Sequence, residues 1–324
     1  MYISHRTNPC KEKRRIAVNE KRLEEIPTEG PFYIFKSCLT NDTYPGIDAS
    51  TRAILKKLGI KLVDTDEQTC CGGYVYFSSL SSLETMLATV ARNFSVIEEL
   101  ASDVLVLCNA CFNTFNYFET VIREKPTLMR QTNKILTKIS RRYNGNIRFW
   151  HIAEFIYKIK DKIKENIQLS LNGARIAVHY GCHYAVSCSD IFLDDPKNPM
   201  FLDELVESLG ATPIHYKEKN LCCGGGWISR YTNRDLSLQV TRRKIDSFIE
   251  EDADMILVIC PFCLNIYDRA QTELETLELL KRRIPVLHLT QLIALLMGFD
   301  PYTTIGIQSH TTTPRPLLEK LEVL

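Results

Sequence analysis

The chain lacks most of the features that would assign it at a glance. Its 324 residues carry a formal net charge of +1, so nothing in the charge balance favours a nucleic-acid backbone. No apolar run is long enough to span a bilayer. The longest, near Ile284 to Phe299, is broken by His288, Thr290 and Gln291. The N-terminus is polar and basic, without the apolar centre of a secretory signal. There is no ferredoxin-type run Cys-x-x-Cys-x-x-Cys-x-x-x-Cys-Pro and no Gly-x-Gly-x-x-Gly after a strand. A cubane relay, a flavin site and a nicotinamide site are therefore all missing from view. These absences point to a cytoplasmic protein without a membrane span, in a compartment where thiols stay reduced and serve metals or catalysis.

Cysteine, by contrast, is plentiful and ordered. Of 12 cysteines, ten fall into one pattern that occurs twice. Cys38 is followed by the vicinal pair Cys70-Cys71 and then, after thirty-six intervening residues, by Cys108-Asn-Ala-Cys111. Cys182 is followed by Cys222-Cys223 and, after the same interval, by Cys260-Pro-Phe-Cys263. Both pairs run into glycine, Gly72-Gly73 and Gly224-Gly225-Gly226. Cys10 and Cys188 stand outside the pattern and are read as free thiols rather than ligands.

The pattern of elements repeats as well. A strand over 31–37 leads to Cys38, a helix spans about 46–58 and stops at Gly59, and a short strand begins at Ile60. A long helix covers 82–101, the apolar Val104-Leu-Val-Leu leads to Cys108, and a helix opens near Cys111. A polar, basic stretch then reaches a strand at 146–150 and a helix from Ala153. The second half offers a strand at 174–179, helices at 201–209 and 235–250, and the buried run 255–259 before Cys260. Each half closes on a strand ending in histidine, His151 or His288, and a helix. Strands alternating with helices predict an α/β fold with a parallel-type sheet and flanking helices in each half, related by pseudo-twofold symmetry. In such sheets functional groups gather at the carboxyl ends of strands, where Cys38, Cys108, Cys182 and Cys260 all fall.

Thiolate is a soft ligand that suits zinc, cuprous copper or iron–sulfur clusters. Adjacent cysteines point apart and more easily reach two irons than one zinc. Five thiolates per half exceed the four of a tetrahedral zinc site and of an ordinary cubane. An unusual iron–sulfur cluster in each half is the favoured reading. Two structural zinc sites with spare thiols remain the alternative, and disulfides rank lower still.

With these residues in place the sequence resembles the CCG-domain, or cysteine-rich, family and most closely the B-type subunit of heterodisulfide reductases. The resemblance rests on Tyr33–Cys38, Leu55–Asp64, Cys108-Asn-Ala-Cys111, His179-Tyr-Gly-Cys-His183 and Val286–Gly298. It implies two duplicated CCG domains, 31–172 and 173–299, between a basic N-terminal arm, 1–30, and a C-terminal tail, 300–324. The arm is expected to be solvated. The resemblance also implies two noncubane 4Fe-4S clusters, one on Cys38, Cys70, Cys71, Cys108 and Cys111, the other on Cys182, Cys222, Cys223, Cys260 and Cys263. The substrate it implies is the mixed disulfide of coenzyme M and coenzyme B, held between the clusters in methanogenesis. The implied partners are the ferredoxin-like C-type subunit of heterodisulfide reductase, its flavin-containing A-type subunit, and hydrogenase or formate dehydrogenase modules. Lys36-Ser37 and Gly72-Gly73 depart from the Leu-Gly and Pro usual in the methanogen enzymes, so the disulfide itself is less firmly implied than the ligands. Related CCG subunits serve thiol-dependent fumarate reductases and glycolate or lactate oxidases, and a zinc-stabilised scaffold is the reading without catalysis.

Four further residues are candidates for the chemistry. His183 adjoins Cys182 and is placed either to protonate a leaving thiolate or to tune the cluster by a hydrogen bond. Lys36, Arg230 and Arg234 are candidate contacts for an anionic group of the substrate. His151 and His288 are read as structural caps or packing residues, and Trp227 and Tyr76 as packing around the site.

Overall fold

Eight short strands carry the architecture among the described residues, and they divide into two sheets of identical plan. The computed structural model describes residues 18–185 and 192–321. Cys10, Cys188 and the first part of the N-terminal arm lie outside them. The first sheet contains β1 (Phe32–Phe35), β2 (Leu62–Val63), β3 (Asp103–Val106) and β4 (Arg148–His151), in the order β2-β1-β3-β4. The second contains β5 (Arg175–His179), β6 (Thr212–Pro213), β7 (Met255–Val258) and β8 (Val286–His288), in the order β6-β5-β7-β8. Every pairing is parallel. The central strands β1 and β7 are buried along their length, and β3 and β5 are buried after their first residue, as apolar runs demand when helices cover both faces of a sheet.

Matching register makes the halves comparable residue by residue. At the carboxyl edge of the first sheet Phe35, Val106 and His151 lie side by side. His179, Val258 and His288 form the equivalent row of the second. The histidines that end β4 and β8 are N-caps, as the sequence suggested. His151 Nδ1 accepts from Ala153 N (3.1 Å) and His288 Nδ1 from Thr290 N (3.3 Å). Each cap is completed by the side chain three residues on, Glu154 or Gln291, which accepts from the histidine N–H.

The halves interlock reciprocally. The short helix Cys182–Ala185 packs on the helix Asn109–Glu124 of the first half, and Cys38–Asp42 packs on Pro261–Thr276 of the second. Helix Gly46–Lys57 lies on Leu289–Leu296. The latter is buried on all sides, which is how an almost wholly apolar helix is stable in water. Tyr44 donates to the buried Asp268 across the boundary (2.9 Å). The segment after residue 299 packs there too, with Thr311 N and Thr312 N donating to the same carboxylate at 2.8 and 2.7 Å.

One expectation needs correction. The described part of the arm is only partly solvated: Glu20, Lys21, Glu24, Glu25 and Glu29 are exposed, but helix Glu20–Glu25 is capped by Asn19 and buries Arg22 and the following Ile26. An arginine reads as solvent-exposed until its buried partner, here Glu154, is known. The basic stretch after Arg123 is a helix, Pro126–Leu136. Proline at its first turn starts it, and Leu128, Thr132 and Leu136 form a narrow inward face that the surrounding lysines and arginines obscure in the sequence. Among the described residues no helix is long and apolar enough to cross a membrane.

Candidate functional site

Each half brings its five cysteines together at the carboxyl ends of its strands. Cys38 opens helix Cys38–Asp42, which Ser37 caps by accepting from Thr40 N at 3.3 Å. Cys182 opens the equivalent helix Cys182–Ala185. Cys108 and Cys260 are themselves the N-cap residues of Asn109–Glu124 and Pro261–Thr276, both extended (φ −142° and −133°). These four thiols thus sit at helix N-termini, beside N–H groups that the first helical turn leaves unpaired. The vicinal pairs complete the set from the loops before the long helices. Gly72 N and Gly224 N each donate to the sulfur of the first cysteine of the pair, Cys70 or Cys222, at 3.4 Å.

The ten thiols, all free, form a continuous chain of contacts. In the first half neighbouring thiols run in the order Cys38, Cys70, Cys71, Cys111, Cys108. The second half has the same order, Cys182, Cys222, Cys223, Cys263, Cys260. The two chains meet where Cys108 Sγ and Cys260 Sγ lie 3.8 Å apart. Cys108, Cys111, Cys260 and Cys263 are sealed inside, whereas Cys38 and Cys70 are exposed and Cys182 and Cys222 half-buried. Charge follows the contacts. Hydrogen bonds from Cys38, Cys71 and Gly72 N pull the Cys70 thiol down to about 2, and Cys182 and Cys223 likewise lower Cys222. The hydrogen bond to Cys70, together with burial, holds Cys38 up, and Cys222 does the same to Cys182. Crowded thiols that cannot all ionise together are what a cationic centre would relieve.

Glycine is required where the chain folds over the sulfurs. Gly224 has φ +97°, and a Cβ there would come within 2.2 Å of Thr241 Oγ1 and 2.7 Å of Ser237 O. Thr241 in turn donates to Cys223 O at 2.8 Å. Gly181, at φ +80°, lies against Asn109 Nδ2, and a Cβ on it would sit 3.5 Å from Cys263 Sγ. Asn109 donates across the boundary to Tyr180 O (2.7 Å), a bridge between the Cys-x-x-Cys of one half and the first cysteine loop of the other.

His183 lies beside the site, with Nδ1 3.5 Å from Cys182 Sγ. Burial lowers its pKa, which favours the neutral imidazole and a hydrogen-bonding role over proton storage. Its ring meets Trp227 edge-on at 4.3 Å, and Trp227 stacks on Phe77 of the first half at 5.2 Å. Trp227 therefore bridges the two halves, and Tyr76 packs nearby against Phe77 and Phe118. The three candidate anion contacts all face carboxylates: Lys36 pairs with Asp64 (3.1 Å), while Arg230 and Arg234 share Glu273. Arg230 Nη1 is nonetheless buried without a hydrogen-bond partner among the described residues.

Two residues near the sulfurs went unremarked in the sequence as site residues. A ring nitrogen of His179 lies within 4.8 Å of Cys223 Sγ and Cys263 Sγ. Lys244, fully buried, donates to Lys219 O (3.0 Å) and Leu221 O (2.6 Å) just before the second vicinal pair. Aligning the halves would have exposed the first, since Phe35 occupies the equivalent place. Nothing in a local reading marks Lys244, which lies on a helix rich in basic residues.

Two interlocked parallel α/β units, each presenting a vicinal cysteine pair and a Cys-x-x-Cys at its strand ends, define a duplicated cysteine-rich domain protein. The CCG cysteine-rich domain profile matches residues 32–116 and 176–266, and the chain belongs to this family. Within it the chain is 34% identical over 290 residues to the B-type subunit of the ferredoxin:CoB-CoM heterodisulfide reductase of Methanosarcina mazei, covering 89% of this chain and 96% of that one. It is 36% identical to a protein of Archaeoglobus profundus described as like the heterodisulfide reductase B-type subunit, covering 87% and 94%. A more distant relative, 28% identical with 86% and 96% covered, is the 8-methylmenaquinol:fumarate reductase membrane anchor subunit of Wolinella succinogenes.

Proposed function

We propose that this chain is the iron–sulfur subunit of a cytoplasmic heterodisulfide reductase-type complex and reduces a small-molecule disulfide to two thiols. The observation that carries the reading is the meeting of two equivalent five-thiol sets at Cys108 and Cys260, 3.8 Å apart. The donor set fits iron–sulfur chemistry. It is soft, it exceeds the four ligands of zinc, and its vicinal loops are drawn tight against their helices by glycines that admit no side chain. Cys38, Cys70, Cys71, Cys108 and Cys111 would hold one noncubane 4Fe-4S cluster, and Cys182, Cys222, Cys223, Cys260 and Cys263 the other. When bound, each cluster would supply one electron and a Lewis-acidic iron to one sulfur of the substrate.

The reaction consumes two electrons and two protons and breaks one S–S bond. The protein's own part is to seat the disulfide and exclude water. Trp227, with Phe77 and Tyr74 packed against it, offers an aromatic wall beside His183. Arg230 Nη1 offers a donor to an anionic end of the substrate. His183 offers a hydrogen bond beside Cys182. Electrons would come from a ferredoxin-like C-type subunit with its flavin-containing A-type partner, linked to hydrogenase or formate dehydrogenase modules. The coenzyme M–coenzyme B disulfide is the first substrate to test, since it is named for the relative in Methanosarcina mazei.

The test is anaerobic purification with iron and sulfide analysis, followed by disulfide reduction with a reduced viologen as donor. Iron and sulfide in both halves, with turnover of the coenzyme M–coenzyme B disulfide, is the expected result. Zinc in place of iron would defeat the proposal. Iron without disulfide turnover would redirect it to the fumarate reductase-type role named for the Wolinella relative.

A further inference from the structure

The two thiol sites share a scaffold but not their surroundings. Register places Phe35 and His179 at the same point of their sheets, beside Val106 and Val258. Each ring meets the residue four positions after its Cys-x-x-Cys. Phe35 packs edge-on against Phe115 at 4.5 Å, and His179 against Tyr267 at 5.1 Å, both with interplanar angles of 86°. The loops that carry the vicinal pairs are also tied differently. Asn93 Nδ2 donates to Thr69 O (3.3 Å) and Cys70 O (3.1 Å), tying the first vicinal loop to its long helix. Lys244 Nζ ties the second loop through Leu221 O and Lys219 O. Thr69 and Leu221 each immediately precede their vicinal pair, and Asn93 and Lys244 are both fully buried. The first-half counterpart of Lys244 in sequence is Arg92, which donates to Glu67 O, the counterpart of Lys219 O. Arg92 is half-buried and faces the Glu67 carboxylate, whereas Lys244 is fully buried and has no carboxylate partner among the described residues.

His179 has no structural task that explains it. Its Nε2 is buried without a hydrogen-bond partner among the described residues. Its Nδ1 faces Tyr267 Oη at 3.5 Å. With the tyrosine hydroxyl donating to Nδ1, the proton of the neutral ring resides on Nε2, a donor without a partner among the described residues. A buried unpaired N–H is costly in a finished site, and the thiols of Cys223 and Cys263 are the groups at hand.

We propose that the second site is electronically distinct from the first: His179, oriented by Tyr267, donates a hydrogen bond to the sulfur cage, and Lys244 places a buried positive charge behind it. The inference rests on the iron–sulfur reading above. An added electron makes a cluster more negative, and a sulfur-directed donor and a nearby cation stabilise that state. At the equivalent positions the first site has phenyl rings and Arg92, a half-buried cation that already faces the Glu67 carboxylate. Its better access to water, through Cys38 and Cys70, acts in the opposite sense. Water reaches only its outer edge, whereas Lys244 acts from within the low-dielectric interior, where charge is least screened. The second site therefore fills first, and the two sulfurs of a bound disulfide face unequal electron donors.

The experiment is a redox titration of the full chain followed by low-temperature paramagnetic resonance, with iron measured on every sample. Two separated midpoints are expected, and Cys223→Ala should remove the higher. His179→Phe, which copies Phe35, and Lys244→Asn, which removes the buried charge, should each lower only the higher midpoint. A tenfold change in the one-electron equilibrium, about 59 mV, is the size to look for. His179→Gln, which keeps an N–H donor, should restore much of the loss, and Phe35→His should raise the lower midpoint. Full iron content with both midpoints unmoved by His179→Phe and Lys244→Asn would overturn the inference while leaving the iron–sulfur reading intact. Protein that takes up no iron would overturn both.

Discussion

The Arg22 guanidinium grips the Glu154 carboxylate through two hydrogen bonds, Nε to Oε1 at 3.2 Å and Nη2 to Oε2 at 2.8 Å, with both groups withdrawn from solvent. Glu154 also accepts from Tyr184 Oη at 2.9 Å. It thereby joins the N-terminal helix, the closing element of the first half and the helix that starts at Cys182. Its counterpart Gln291 completes the His288 cap without a charge. The cap itself does not need a carboxylate, and the charge of Glu154 answers Arg22.

Removing one partner should then cost far more than removing both charges. Arg22→Met leaves a buried carboxylate unpaired and should destabilise the protein by about 3–5 kcal/mol. Arg22→Met combined with Glu154→Gln, which imitates Gln291, should recover most of that loss in chemical denaturation. A double variant no more stable than the single one would contradict the pairing.

Gly224 and Gly59 separate the two costs of a glycine substitution. Both have positive φ, +97° and +72°, but a Cβ on Gly59 meets nothing within 4 Å whereas one on Gly224 strikes Thr241 Oγ1 and Ser237 O. Gly59→Ala should cost about 1–2 kcal/mol from backbone conformation alone. Gly224→Ala should add roughly 1–3 kcal/mol of crowding and weaken metal retention, because the loop it displaces carries Cys222 and Cys223. Equal melting temperatures for the two variants would defeat this account.

The cysteine sets were legible because their spacing is a local, repeated signal, and the strand ends that carry them follow from short apolar runs. The capping histidines were legible for the same reason: His151-Ile-Ala-Glu and His288-Leu-Thr-Gln each contain the whole motif. The rest depends on partners distant in the chain. Arg22 finds Glu154 across 132 residues, Lys36 finds Asp64, and Arg230 and Arg234 converge on Glu273. A basic side chain read alone looks available for a ligand. Its carboxylate becomes visible only when the helices pack. The strand Thr212–Pro213 was missed because two residues at a sheet edge carry no periodicity.

Single-ligand variants should report on the two halves separately. Cys71→Ala and Cys223→Ala each remove a buried thiol from the middle of one contact chain. Each should leave roughly half of the bound iron, since an iron–sulfur cluster depends on its full thiolate set. Both should abolish turnover with an artificial donor. Turnover that survives both substitutions would rule out a mechanism that needs two sites.

Asp194 should reveal itself through pH. It accepts from Met200 N (2.6 Å) and Phe201 N (2.8 Å) through one oxygen, while its Oδ1 is buried without a partner among the described residues. Burial pushes its pKa from 3.8 up to about 6. Between those values the folded state binds more protons than the unfolded chain. The stabilisation from this group is therefore fully present below about pH 4 and lost as pH rises through about 6. The loss is on the order of 2–3 kcal/mol by pH 7.5. Asp194→Asn keeps an oxygen acceptor and cannot ionise, so its melting temperature relative to the parent protein should climb between pH 5 and pH 7.5. A difference that stays flat across that range would mean that Asp194 ionises as readily in the folded protein as in the unfolded chain.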